Sequence, residues 1–527
     1  MTATSADEPF VLPATLRGRA AVAGHVGMLA AIVVLFGSVV DILPENPIFW
    51  LVTPLRLVLL VGIAAVVVVR PSWRAFTTSL DLPLLALLGA SGLSSMLAGE
   101  GLSQWRWLAT LVATYYLAVG LCRTVPAAAL TLRLTALLAV AVTSLVALGQ
   151  AAQQTPTGFC RSGFVNMACT QHGALVRVSG TFTNPNLLAA FLVLFLPMVV
   201  VAAWTAREEY VRLVFVVIAV GAVAALALTF SRAGVIGLLV SVLVMISTMT
   251  RSRWRPGPRV VAASGAALAL MVGLALAAGI GVRREVWTAA ISAASHHPLG
   301  VGLGRAGVVI SANVPGPTAF AHAHNLWLNW YLEAGLVGLT AVVFITVYVA
   351  LRLRAAVRTG DRTSLAVASG LAGFTMVCLV DDPMNTTTLA VPMMIVLGLA
   401  ATAPLGRRTA GKRVAPRRSA GSRTSASAEA EAKVEAQLPV KPETSTSGEL
   451  PQASAAAEVA PEPSPQVTPS PGIPAGPEAD TLRLQGLGGV RPHPVRGVPV
   501  PASRSARSTH GQPRPYGGIN GHRRKHR

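Results

Sequence analysis

Four stretches of this 527-residue chain set arginine or histidine beside signals for the end of a helix. In Arg177-Val-Ser-Gly-Thr-Phe-Thr-Asn-Pro-Asn186, Asn184 and Pro185 read as an N-cap and first helical residue. Arg177, with Ser179 and Thr181 in the same loop, then lies beside a helix N-terminus, a natural place for an anion. In Thr229-Phe-Ser-Arg-Ala-Gly234 an arginine sits between two apolar stretches with almost no linker. Such a charge is costly near a membrane interior, which marks Arg232 as functional rather than incidental. The third stretch, Arg283-Arg284-Glu-Val-Trp287, precedes His296-His297-Pro-Leu-Gly-Val-Gly-Leu-Gly304. Arg283 and Trp287 share one face if the segment is helical. Gly302-Leu-Gly-Arg-Ala-Gly307 matches a dinucleotide fingerprint in letters only, without the strand and helix it needs, so its glycines read as tight turns. The fourth stretch, Ala321-His-Ala-His-Asn-Leu-Trp-Leu-Asn-Trp-Tyr-Leu-Glu-Ala-Gly335, enters an apolar run. His322 and His324 have no clear third ligand, so no metal is assigned, and a neutral His324 imidazole reads as a base or hydrogen-bond partner. Glu333 falls nearly opposite His324 on a helix, and Trp327, Trp330 and Tyr331 read as an interfacial aromatic belt. Arginine matches phosphate oxygens bidentately, and histidine takes a proton from a hydroxyl near neutral pH. Together they describe transfer from a lipid diphosphate to a hydroxyl.

The elements that must position these residues are apolar. The composition is 53% hydrophobic and only 12% charged, too little charge to cover a water-soluble surface. Only helices or closed barrels satisfy the backbone in lipid, and runs of this length predict an all-α, polytopic bundle of about twelve transmembrane helices. The expected spans are 20–43, 49–69, 80–98, 105–122, 129–150, 186–205, 211–230, 233–249, 259–281, 326–351, 363–381 and 387–404. The stretch 1–19 is polar, and the first apolar run is read as a retained helix, not a cleaved signal. The net charge of +21 invites a nucleic-acid reading, but the arginines lie in alternate short connections and in the tail, so no nucleic acid is expected. Arg70, Arg74, Arg123, Arg207, Arg212, Arg352, Arg354, Arg358 and Arg362 fall in one set of connections. The positive-inside rule puts that set and both termini in the cytoplasm, and the segments 151–185 and 282–325 outside. Loops that long are usually functional. The first holds Cys160 and Cys169, a candidate disulfide, whereas Cys122 and Cys378 read as packing residues. From 405 to 527 Ala, Pro, Ser and Glu dominate without apolar periodicity, as in a disordered cytoplasmic tail with basic ends able to touch membrane lipid.

The four stretches, in this order and within a consistent helical frame over roughly 175–340, resemble the O-antigen ligase and O-antigen polymerase-like membrane proteins. The resemblance implies a multi-pass protein of the cytoplasmic membrane that works without metal or cofactor. It implies a glycosyltransferase that takes a glycan from an undecaprenyl-diphosphate-linked donor to a glycan, lipid or wall acceptor hydroxyl. The matching catalytic positions are His324, as candidate base, Arg232 and Arg283. Arg177, Arg284 and Asn325 are assigned to substrate binding, with the choice between Arg283 and Arg284 left open. A transporter or flippase for polysaccharide precursors is the competing reading. It predicts charges near the bilayer midplane and broken helices in paired halves.

Overall fold

A computed structural model describes residues 14–43, 52–70, 72–161, 175–249, 281–314 and 319–404, with positions 266 and 273. The expected span 259–281 falls almost wholly outside these residues, as do Cys169, the stretch 1–13 and the tail 405–527. By internal contacts the chain divides into units 1–418 and 419–527, and only the first is described below.

Its described residues form helices and no strands. They are α1 (Ala14–Val39), α2 (Pro54–Val69), α3 (Asp81–Leu97), α4 (Leu102–Thr124), α5 (Ala128–Gln153), α6 (Pro185–Thr205) and α7 (Glu209–Leu228). These are followed by α8 (Arg232–Met249), α9 (Arg283–His296), α10 (Ala306–Asn313), α11 (Leu326–Val357), α12 (Arg362–Cys378) and α13 (Thr387–Thr402). Five of them, α1, α5, α6, α7 and α11, are long and apolar enough to cross a membrane. The burial pattern agrees with hydrocarbon as solvent: α6 buries nearly every side chain, whereas α7 leaves Leu213, Val214, Val217 and Val220 exposed. Without a hydrophobic drive between helices in lipid, small residues set the closest approaches. On α12, a Cβ at Gly370 would overlap the Leu194 carbonyl, and one at Gly373 would overlap Gly237 on α8. Those two glycines are what let α12 seat against α6 and α8 at backbone distance.

Alternate connections meet at one end of the bundle. Thr181 Oγ1 donates to the Val39 carbonyl at the end of α1 (2.7 Å), and Val178 N donates to the Leu228 carbonyl at the end of α7 (3.2 Å). Ser94, near the end of α3, accepts from Gly302 N through its hydroxyl (2.8 Å). The segment 282–325, expected to be a loop, instead folds into α9 and α10, whose Val286, Ala290, Ala294 and Ile310 form a small separate core with Leu332.

That core is tied to the bundle through a break in α11. Gly335 leaves the helix at φ 66° and ψ −164°, freeing backbone groups that the 298–302 segment takes up. Val301 N donates to Leu332 O (2.9 Å), Gly302 N to Glu333 O (3.2 Å), and Leu336 N to Pro298 O (3.0 Å). A Cβ at Gly335 would run into the Pro298 carbonyl in a backbone conformation that L side chains rarely adopt. Gly335→Ala is therefore expected to destabilise the fold by about 1–3 kcal/mol, read as a lower Tm of the purified chain in detergent.

Candidate active site

The start of α11 and the exit of α12 face each other across this end of the bundle. Asn325 is the N-cap of α11: its Oδ1 accepts from Leu328 N (2.9 Å) while its Nδ2 donates to the Leu379 carbonyl just beyond α12 (2.9 Å). One side chain thus starts one helix and fastens it to the end of the other. The preceding residue, His324, is held at φ +49°, a left-handed conformation rare outside glycine and asparagine. The turn is fixed on both sides, because Trp287 Nε1 donates to the His324 carbonyl (3.3 Å) and Ala323 N donates to Asn329 Oδ1 (3.1 Å). Backbone strain of this kind persists where the surroundings over-determine it, as at ligand and catalytic sites.

The result is a hydrogen-bonded pair. His324 Nδ1 lies 3.2 Å from Asp381 Oδ1. A carboxylate only accepts, so Nδ1 carries a proton, and in the neutral ring the lone pair then falls on Nε2, the tautomer a general base requires. Burial works to raise the Asp381 pKa, but the His324 hydrogen bond and the neighbouring imidazoles and Arg283 outweigh it and hold the carboxyl below its ordinary range. His322 stacks edge-on against His324 with ring centroids 4.4 Å apart. Burial, with the neighbouring His324 and Arg283 charges, pushes its pKa down to about 4 despite the opposing pull of Asp381, so it is neutral at physiological pH. Arg283 is half-buried on α9, four residues from Trp287, and its Nε is buried without a hydrogen-bond partner. An orphaned guanidinium N–H beside a histidine–carboxylate pair is where an anionic group of a ligand would be bound.

The next residue behaves oppositely. Asp382 is buried, with Oδ1 unpartnered, and burial together with the Glu333 and Asp381 charges raises its pKa well above the usual 3.8. The folded chain keeps this proton at pH values where the unfolded carboxyl has lost it. Its stabilising contribution is present below about pH 4 and is lost as pH rises from there toward the raised folded value. Asp382→Asn is expected to raise Tm at about pH 8 more than at about pH 5, measured by thermal unfolding across that range.

His322, His324 and Asp381 bring their ligand-capable atoms within 4.8 Å of one another, which supplies the third group that the sequence reading lacked for a metal. The hydrogen bonds favour a different use. His322 Nδ1 accepts from the His324 backbone N–H (3.1 Å), so its proton sits on Nε2, the atom facing Asp381 at 3.9 Å. A cation there would need both imidazoles to change tautomer and would face the Arg283 charge.

The other expected arginines are placed differently. Arg284 is exposed, whereas Arg283 is half-buried, which separates the two neighbours. Arg232 is exposed at the first turn of α8, with no hydrogen bond or ion pair among the described residues, behind a turn in which Phe230 has φ +50°. Arg177 is half-buried: its Nε donates to the Thr229 carbonyl (2.8 Å) and its Nη2 to Asn186 Oδ1 (3.1 Å). Asn184 caps α6 as expected, accepting from Asn186 N. The expected anion nest beside Arg177 is filled by protein, however. Ser179 N and Gly180 N both donate to Gln150 Oε1, and the Thr181 hydroxyl is bound to Val39. Arg177 thus binds the 175–184 segment to the α7–α8 turn, and burial lowers its pKa. Arg161, not singled out from sequence, lies over the Phe230 ring at 5.1 Å and adds a third cation to this turn. Cys160, in a bridge with Val176, is disulfide-bonded.

Residues 218–343 match a family model described as O-antigen ligase. The chain carries an O-antigen ligase-like domain. The matched segment is similar to O-antigen ligases, and the apolar helices around it indicate a membrane protein. No curated protein matches the chain. The ligase-like segment includes Arg232, Arg283, Arg284, His324 and Asn325, and leaves Arg177 and Asp381 outside it. Asp381 was missed as a site residue because nothing in its spacing links it to a histidine 57 positions earlier. The available signal was an acidic pair, Asp381 and Asp382, at the mouth of an apolar helix. The three expected belt aromatics are each half-buried: Trp327 against the main core, Tyr331 against the α9–α10 core, and Trp330 beside Leu303 and Leu87.

Proposed function

We propose that this ligase-like protein transfers or polymerises a glycan from an undecaprenyl-diphosphate-linked donor at the outer face of the cytoplasmic membrane. The observation that carries the reading is the His324–Asp381 pair with the unpartnered Arg283 beside it. In the step, His324 Nε2 takes the proton of an acceptor hydroxyl as its oxygen bonds to the anomeric carbon. The bond from that carbon to the diphosphate oxygen breaks, and the diphosphate leaves with the electron pair. Arg283 and the exposed Arg232 bind the diphosphate and stabilise its growing charge. Attack opposite the leaving group inverts the anomeric centre. Asp381 holds the His324 ring in the required tautomer, and no metal takes part. Asp381→Asn is expected to lower turnover about 10²-fold while leaving the donor KM within about twofold.

A donor with a hydrocarbon tail is supported by one end of an apolar groove, where Trp107, Leu326, Trp330 and Met384 line it close to the start of α11 and the exit of α12. The carrier reading would need paired broken helices. Among the described helices only α11 contains a non-helical residue, and Glu333 beside that break turns its carboxylate to Ala306 N (3.3 Å). Sidedness is tested with Asn313→Cys, an exposed position at the end of α10. A membrane-impermeant thiol reagent is expected to label it from outside intact cells, and labelling only from the cytoplasmic side would refute the proposal.

A further inference from the structure

The apolar groove begins at Leu326 and Met384, near the start of α11 and the exit of α12. It follows α11 and α12 to the opposite end of the bundle, where Arg354, Arg358 and Arg362 line its mouth beside Trp204. The side chains of these three arginines make no hydrogen bond or ion pair among the described residues. Arg362 is held over the Trp204 ring at 5.3 Å, an arrangement that leaves the guanidinium edge free to donate. Nearby arginines are engaged: Arg352 donates to the Ala400 and Ala403 carbonyls (both 3.0 Å), and Arg133 to the Ala129 carbonyl within α5 (2.9 Å) and to the Thr363 hydroxyl (2.5 Å). The one acid lining the groove among the described residues, Asp361, is committed to the cap of α12, accepting from Thr363 N and Ser364 N.

Three unpaired cations at the mouth of a hydrocarbon-lined groove match an amphipathic anion. Arginines that merely follow the positive-inside rule need no groove behind them, whereas these rim one. We propose that this end of the groove binds an anionic phospholipid, its phosphate on Arg354, Arg358 and Arg362 and one acyl chain along Leu353, Leu365 and Leu371. A zwitterionic lipid would bring its own cation to the same arginines and gain less. The site is remote from the histidine pair, and its occupant is distinct from the glycan donor.

The test is native mass spectrometry of the full chain in detergent, titrated separately with dioleoyl-phosphatidylglycerol and dioleoyl-phosphatidylcholine. Each cation contributes roughly fivefold, so Arg354→Gln/Arg358→Gln/Arg362→Gln is expected to weaken phosphatidylglycerol binding on the order of 100-fold and phosphatidylcholine binding about twofold or less. The corresponding triple lysine variant, which keeps the charge, is expected to stay within about fivefold of the unchanged chain. Ala372→Phe, which fills the groove and keeps all three arginines, is expected to abolish the tight phosphatidylglycerol event. Equal binding of the two lipids by the unchanged chain would overturn the proposal. So would an Ala372→Phe chain that binds phosphatidylglycerol normally, because the arginines would then act only as a charged surface. No glycan donor is present in this assay, so its failure would leave the proposed transfer reaction untouched.

Discussion

Replacing His324 with asparagine is expected to lower glycan transfer about 10³-fold, within the range a positioned general base contributes. Asparagine is the informative choice because His324 sits at φ +49°, a conformation asparagine tolerates better than alanine. The backbone turn fixed by Trp287 and Asn329 is then kept, and the ring is lost. The variant's Tm in detergent is expected to stay within a few degrees of the unchanged chain, so the loss reads as chemistry. Transfer falling less than about tenfold would remove His324 from the role of base. His324→Ala adds backbone strain to the same loss and is expected to show both effects.

The second large effect concerns Arg283. Arg283→Gln is expected to cost about 10²–10³-fold in turnover, the range for removing one donor aimed at developing charge. Arg284→Gln is expected to change turnover about threefold or less, since its side chain is exposed. The contrast is the useful part, because the two residues are neighbours with the same charge. Long-range electrostatics alone would make their effects similar. Arg283→Lys keeps the charge but not the planar pair of donors, and is expected to recover only part of the activity. Both measurements use initial rates of polyprenyl-diphosphate release at saturating acceptor.

Much of the fold was legible because apolar run length and caps carry strong local signals. Asn184 with Pro185 set the start of α6 to the residue. The predicted 186–205, 211–230 and 387–404 spans each overlie a helix. The break in α11 was not legible, because a glycine inside an apolar run has no local mark of whether the helix continues. What decides it is the 298–302 segment, which takes up the freed backbone groups from more than thirty residues away in sequence. The same distance effect divided the site. Arg283, Trp287, His324 and Asn325 could be grouped from helix spacing and the approach to an apolar run. Asp381 reaches His324 only through the packing of two helices. Arg177 was recognised as a cation beside a helix start, but its partner, the Thr229 carbonyl, lies 52 residues on. Sequence spacing therefore assigned to ligand a guanidinium that the fold uses in large part to hold a turn.

The central claim is that this end of the bundle breaks a glycan–diphosphate bond and does not carry the glycan across intact. The direct measurement is a one-pot count, in proteoliposomes supplied with a polyprenyl-diphosphate-linked glycan, of polyprenyl diphosphate released and glycosidic bonds formed. The predicted result is one diphosphate released for each new bond, dependent on acceptor and lost in His324→Asn. Glycan that reaches the vesicle interior still joined to its diphosphate, with no release above background, would contradict it.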